Sequence, residues 1–129
     1  MRRHGIWHPR LLQVLTSLGH GDLLVVADAG LPVPAGVETI DLLWAPGQPA
    51  FLPVVRAILE EAVVESAILA DELVDPGVAP ALEELLPRGA VRRVSHEELK
   101  ALTFGARAVV RTGATTPYAN VILVAGVPF

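Results

Sequence analysis

At 129 residues, of which 52% are hydrophobic, the chain is long enough to bury a core, and we expect a single domain over residues 1–129. The formal net charge of −4, without a run of lysine or arginine, argues against a nucleic-acid partner, and the lack of cysteine excludes disulfides, thiolate metal sites and a cysteine nucleophile. No apolar run reaches the roughly 18 residues of a membrane span and the first residues lack a signal-peptide core, so we expect a soluble cytoplasmic protein without membrane insertion.

Predicted helices and strands alternate along the chain. A first helix runs from Pro9 towards Gly19, because proline suits the first turn of a helix and glycine its end. The apolar run Leu23–Ala27 predicts a strand, and two prolines and a glycine in residues 31–36 predict a loop. The later elements are strand Val37–Trp44, helix Pro49–Glu61, strand Val63–Ala70, helix Pro76–Leu86, strand Ala90–Val94, a helix from Ser95 through Leu102, and strands Ala106–Arg111 and Asn120–Val127.

This alternation indicates an α/β layered domain with a central β-sheet flanked by helices. The strand regions Ala62–Ala70 and Val121–Val127 are almost continuously apolar, which is typical of strands covered on both faces, so we expect a mostly buried sheet. Ser95 and Glu98 have the spacing of a capping box at a helix start. The pattern leaves the order and direction of the strands open.

Two groups that can transfer protons bracket the first strand. His20 lies between two glycines before it, and Asp28 follows it. In open α/β sheets ligands bind beyond the carboxyl ends of strands, which favours a functional role for Asp28. The alternative is a turn that ends the first helix, with Asp28 capping the next loop.

Three further residues are candidates for ligand binding. His96 follows Ser95 at a helix start, where the helix dipole favours a neutral ring that suits a neutral ligand, although a half-exposed histidine fits equally well. Tyr118 and Asn120 lie where a loop enters the last strand, and they either recognise hydroxyl groups or satisfy the loop's own backbone. A Gly-Lys-Ser or Gly-Lys-Thr phosphate loop and a cluster of metal ligands are both absent, so neither nucleotide binding nor a metal site is indicated.

Several short motifs in one order resemble the ribose pyranase and fucose mutarotase family, from residue 11 to residue 129. Gly30 and Ala119 favour the ribose branch, because fucose mutarotases carry histidine and glycine there. The resemblance implies a ribose pyranase-like fold and an isomerase that interconverts the pyranose and furanose forms of free D-ribose without a cofactor. The motifs are Gly19-His20-Gly21-Asp22, Asp28-Ala29-Gly30-Leu31-Pro32-Val33-Pro34, Ser95-His96-Glu97-Glu98, Pro117-Tyr118-Ala119-Asn120-Val121-Ile122-Leu123 and Ala125-Gly126-Val127.

The resemblance also implies roles for individual residues. His20 matches the catalytic proton donor of the family, and the sugar-binding positions are matched by Asp28, His96, Tyr118, Ala119 and Asn120. It further implies a ring-like homo-oligomer, usually a decamer. A fucose-type mutarotase, a non-catalytic sugar-binding module and a purely structural oligomer remain the alternative functions.

The spacing of His20 and Asp28 raises a geometric question. Five strand residues span roughly 16 Å, so the two side chains should lie at opposite ends of the sheet. Our hypothesis is that an oligomer brings His20 of one subunit to Asp28 of another. The alternative is that Gly19 and Gly21 fold the chain back and shorten the separation.

Overall fold

The computed structural model describes residues 1–129 as six strands and four α-helices that form one α/β unit, and it confirms the predicted alternation. The first and fifth strands have the predicted bounds. The elements are α1 Pro9–Ser17, β1 Leu23–Ala27, β2 Glu38–Asp41, α2 Phe51–Glu61, β3 Val64–Ala70, α3 Ala79–Leu85, β4 Val91–Val94, α4 His96–Leu102, β5 Ala106–Arg111 and β6 Val121–Ala125.

Several elements are shorter than predicted, including β6, which covers Val121–Ala125 instead of residues 120–127, and in two of them aspartate side chains form local turns. The carboxylate of Asp41 accepts a hydrogen bond from the backbone N–H of Leu43, which ends β2 three residues early. The carboxylate of Asp75 accepts one from the N–H of Gly77, which delays the start of α3. Both turns compete with the regular backbone pattern that hydrophobic spacing alone predicts.

The six strands form one mixed sheet in the order β2-β5-β1-β6-β3-β4. Strand β6 is antiparallel to both neighbours, whereas the other three pairs are parallel. Five strands therefore end at the edge where β6 begins, which we call the carboxyl edge. At the opposite edge, which we call the amino edge, those five strands begin and β6 ends.

The sheet is covered on both faces, as the apolar strands predict. The larger core cluster has 23 buried residues and packs α1, α2 and α3 on one face, whereas the other face has a cluster of nine that includes Leu99 of α4. The central strands are buried almost completely, which fixes their ends relative to each other. None of the four α-helices has the length and apolar composition that a membrane-spanning helix needs.

Candidate functional site

A hydrogen-bonded pair, Asp28 and Asn120, occupies the carboxyl edge. The backbone N–H of Asp28 donates to Oδ1 of Asn120 at 2.8 Å, and Nδ2 of Asn120 donates to Oδ2 of Asp28 at 3.2 Å. The other carboxylate oxygen of Asp28 accepts the N–H of Gly30 at 2.9 Å. Asn120 is fully buried while Asp28 is only half-buried, so the buried amide fixes a carboxylate that is open to a ligand.

Tyr118 and Ala119 complete the turn that leads into β6. Tyr118 is the one non-glycine residue with a positive φ, +64°, a left-handed conformation that costs roughly 1–2 kcal/mol. Its carbonyl accepts the N–H of Asn120 at 2.8 Å, and Ala119 is fully buried between them. Such strained positions concentrate at functional sites. Here the turn leaves Tyr118 as a residue 37% exposed next to the buried amide.

His96 of α4 packs against the Tyr118 ring. The two ring centroids are 4.9 Å apart in an edge-to-face arrangement with an interplanar angle of 77°. Nδ1 of His96 is the one buried side-chain polar atom without a hydrogen-bond partner. Because buried polar atoms are nearly always paired, a ligand hydroxyl is a suitable partner for this nitrogen.

The start of α4 is held by two side chains. Ser95 Oγ accepts the N–H of Glu98 at 3.1 Å, which confirms that half of the predicted capping box. The carboxylate of Glu72, just beyond β3, accepts the N–H of His96 with both oxygens at 3.0 Å. Glu72 therefore fixes the backbone of His96. No sequence pattern indicates Glu72, because its partner is 24 positions away.

His20 lies at the amino edge, apart from the other predicted site residues, which are Asp28, His96, Tyr118, Ala119 and Asn120. The N–H of Gly21 donates to the carbonyl of Ala125 at 2.8 Å, so the His20 loop lies beside the end of β6, whereas Asp28 lies beside its start. The predicted separation is thus confirmed for the single chain. The fold-back through Gly19 and Gly21 is wrong, because these backbone bonds anchor the loop to the far end of β6.

Asp22 holds the His20 loop in place. Its Oδ2 accepts the N–H of Gly19 at 2.8 Å and Nη1 of Arg107 at 2.7 Å. The Gly19 amide, and to a lesser extent the Arg107 guanidinium, lowers the pKa of the Asp22 carboxyl. The positive φ of Gly21, +83°, completes the turn into β1.

The His20 ring contacts a single ionisable partner. Its Nε2 is 2.8 Å from Oε2 of Glu65, a residue near the start of β3, and the side chains are 60% and 46% exposed. Nowhere in the molecule do three or more histidine, aspartate or glutamate side chains group closely enough to hold a metal ion. The structure thus contains a polar cluster at the carboxyl edge and an acid-base pair at the amino edge.

Comparisons with known proteins find similarity to one family over essentially the whole chain. Residues 1–128 match the RbsD / FucU transport protein family. D-ribose pyranases of Symbiobacterium thermophilum and Paracidovorax citrulli are 51% and 50% identical to this chain, with 100% of each chain covered. The structure of Bacillus subtilis RbsD complexed with D-ribose is 49% identical with a TM-score of 0.94, covering 100% of both chains. The L-fucose complex of the Streptococcus pneumoniae fucose mutarotase, 23% identical over 99% of this chain and 100% of that one, has the same fold with a TM-score of 0.85.

Proposed function

The chain belongs to the RbsD / FucU transport protein family, and we propose that it is an isomerase that interconverts the pyranose and furanose forms of free D-ribose. About half of the residues are identical to those of D-ribose pyranases over the full length of the chain, which supports the reaction. The structural similarity to a protein solved in complex with D-ribose supports the substrate. The observation that carries the proposal is the carboxyl-edge cluster. There a fixed carboxylate, a phenol, an imidazole and a buried amide converge, and these groups suit a molecule with many hydroxyls.

The reaction needs acid-base chemistry only. The pyranose opens when the anomeric hydroxyl loses a proton, the bond from C1 to the ring oxygen breaks, and that oxygen gains a proton. The open aldehyde then closes through a different hydroxyl to give the furanose. A well-placed acid-base group contributes on the order of 10²- to 10⁴-fold to such a step.

In this proposal His20 is the catalytic proton donor, because an imidazole ring can both donate and accept a proton. Asp28, His96, Tyr118, Ala119 and Asn120 bind the sugar. The Asp28 carboxylate accepts hydrogen bonds from sugar hydroxyls or takes the anomeric proton. Ala119 has no polar side chain, so its part is to bring the backbone close to the sugar at the turn.

We further propose that each complete site is shared between two copies of the chain in a homo-oligomer. Two features support this: His20 and Asp28 lie at opposite edges of the sheet, and the His20 ring is 60% exposed in the single chain. Contact between the amino edge of one copy and the carboxyl edge of another would bring both groups to one sugar. A ring-like decamer and a cytoplasmic location remain predictions.

Exchange NMR on D-ribose at equilibrium tests the reaction. Catalytic amounts of the protein should accelerate exchange between the pyranose and furanose anomeric signals, and His20→Ala should abolish the acceleration. Acceleration between the anomers of fucose but not in ribose would instead assign the chain to the mutarotase branch. No effect on either sugar, with ribose still bound, would favour a sugar-binding module.

Subunit complementation tests the shared site. The His20→Ala and Asp28→Ala proteins should each be inactive, and mixed oligomers of the two should regain part of the activity, since some sites then combine an intact His20 with an intact Asp28. Light scattering gives the oligomer size, and mass spectrometry of differently labelled chains verifies mixing. No recovered activity in verified mixed oligomers would refute the shared site.

A further inference from the structure

We propose that Glu65 is a positioning residue for His20, and that it holds Nε2 of the ring so that Nδ1 exchanges protons with the sugar. This inference rests on the proposed function. Glu65 accepts the one side-chain hydrogen bond that the His20 ring makes, at 2.8 Å. A carboxylate can only accept a hydrogen bond, so Nε2 must carry the hydrogen, whether the ring is neutral or charged.

The backbone of the His20 loop is fixed where the ring meets Glu65. The His20 loop is anchored to the end of β6 by two bonds, from the N–H of Gly21 to the carbonyl of Ala125 at 2.8 Å and from the N–H of Ala125 to the carbonyl of Asp22 at 2.9 Å. The imidazole itself can still rotate, because the loop bonds leave its side-chain torsions free. Glu65 is therefore the group that selects one ring orientation.

A β-bulge places Glu65 beside this loop. Val64 and Ser66 of β3 pair with consecutive residues of β6, so Glu65 is the extra residue between them. Bulges commonly change the direction of a side chain near functional sites. Gly126 leaves room for this, because a Cβ there would come within 3.1 Å of the Glu65 Cβ. An unbroken strand would hold the side chain in the regular alternation of the sheet.

This geometry assigns the proton-transfer step to a particular nitrogen. In ring opening, Nδ1–H of the His20 imidazolium gives its proton to the sugar ring oxygen as the bond from that oxygen to C1 breaks. The anomeric hydroxyl proton passes to Asp28 or to a water beside it, and C1 becomes the aldehyde carbon. In reclosure another hydroxyl adds to C1 and returns its proton to Nδ1, while the aldehyde oxygen regains the proton held on the Asp28 side. Throughout, Nε2 keeps its hydrogen and donates it in the hydrogen bond to the Glu65 carboxylate.

Substitution of Glu65 separates positioning from sugar binding. Glu65→Gln keeps an oxygen that accepts from Nε2 but loses the charge, and Glu65→Ala loses both. We expect the rate of pyranose-furanose exchange at saturating ribose to fall roughly 10- to 100-fold in Glu65→Ala and less in Glu65→Gln. This loss is smaller than the roughly 10²- to 10⁴-fold contribution of an acid-base group, because His20 itself is still present. The ribose Kd should stay within about twofold, because Glu65 contacts His20 and none of the sugar-binding residues. Glu84→Gln, an exposed change on α3, is the matched control and should change neither quantity.

A double-mutant comparison and the ring tautomer decide the proposal. In the His20→Ala background Glu65→Ala should cause no further loss of exchange, because Glu65 acts through that ring. In ¹⁵N spectra of the neutral His20 ring, only Nε2 should be protonated in the wild-type protein, and the Nδ1-protonated form should appear in Glu65→Ala. A protonated Nδ1 in the neutral wild-type ring, or unchanged exchange in Glu65→Ala, would overturn the assignment. If the wild-type protein did not accelerate ribose exchange at all, the proposed function would fail, while the ring spectrum would still report on the pairing.

Discussion

Replacing Asn120 with alanine tests whether the buried amide organises the carboxyl edge. The change removes the acceptor of the Asp28 N–H and the donor to the Asp28 carboxylate. A donor left without its partner costs about 1–3 kcal/mol. The second bond is longer, at 3.2 Å, and ends on a half-exposed carboxylate, so we assign it about 1 kcal/mol. The expected loss of unfolding free energy is therefore about 2–4 kcal/mol.

The same substitution should weaken sugar binding. Without the amide, the Asp28 carboxylate loses one of the two groups that fix its orientation, and we expect the ribose Kd to rise at least about tenfold, which corresponds to roughly 1.4 kcal/mol. Urea denaturation at fixed protein concentration gives the stability change, and titration calorimetry gives the Kd.

Thr115→Ala is the control for this prediction, because Thr115 is exposed in the same loop. It should change stability by less than about 0.5 kcal/mol and leave the Kd unaltered. A loss below about 0.5 kcal/mol in Asn120→Ala, together with an unchanged Kd, would refute the view that this amide fixes the site.

Three other changes probe the supports of the two edges. The backbone amide of Gly19 and, to a lesser extent, the Arg107 guanidinium lower the pKa of the Asp22 carboxyl. The carboxylate therefore stabilises the fold fully above the ordinary pKa of 3.8, and this stabilisation is lost as the pH falls through the lower pKa of the folded state. Asp22→Asn should accordingly reduce the fall in Tm below about pH 4. Gly113→Ala places a Cβ 2.3 Å from the backbone nitrogen of Gln48 and should destabilise the protein by about 3 kcal/mol, measured by urea denaturation. Glu72→Ala removes the acceptor of the His96 N–H and should lower stability by about 1 kcal/mol and raise the ribose Kd.

Two of these changes, Gly113→Ala and Glu72→Ala, have a control in the chain. Gly105→Ala should be mild, since the nearest atom to its Cβ would be a side-chain carbon at 4.0 Å. Glu84→Ala removes a carboxylate from the surface of α3 and should leave ribose binding intact. Unchanged acid denaturation in Asp22→Asn, or a Gly113→Ala protein as stable as Gly105→Ala, would contradict the reading of those contacts.

The sequence predicts most helices and strands because their boundaries are local. β1 is an apolar run and β5 is a mostly apolar run with two arginines, both between polar or glycine-rich segments, and their bounds are correct. The reversed direction of β6 has no local signal, because an apolar strand pairs in either direction and its neighbours decide. Asp28 and Asn120 meet only through that reversal, at a separation of 92 positions. Spacing alone could not predict that pair.

The two edges of the site differ in how well they could be predicted. The rise of a strand residue is nearly constant, so the separation of His20 from Asp28 followed from counting residues. Glu65 gave no such signal, because its position depends on a bulge formed with β6 and its partner is 45 positions away. Glutamates at strand starts are usually solvated, so nothing local distinguished this one.

Because the two edges lie at opposite ends of β6, the number of complete sites depends on how the copies assemble. If the proposed shared site is correct, a single copy contains two half-sites and no complete one. A closed ring or a reciprocal dimer then has as many sites as subunits, whereas an open row of copies has one fewer. Activity per subunit should therefore fall steeply on dilution through the dissociation range, and the dilution curve would measure the strength of the contact between copies.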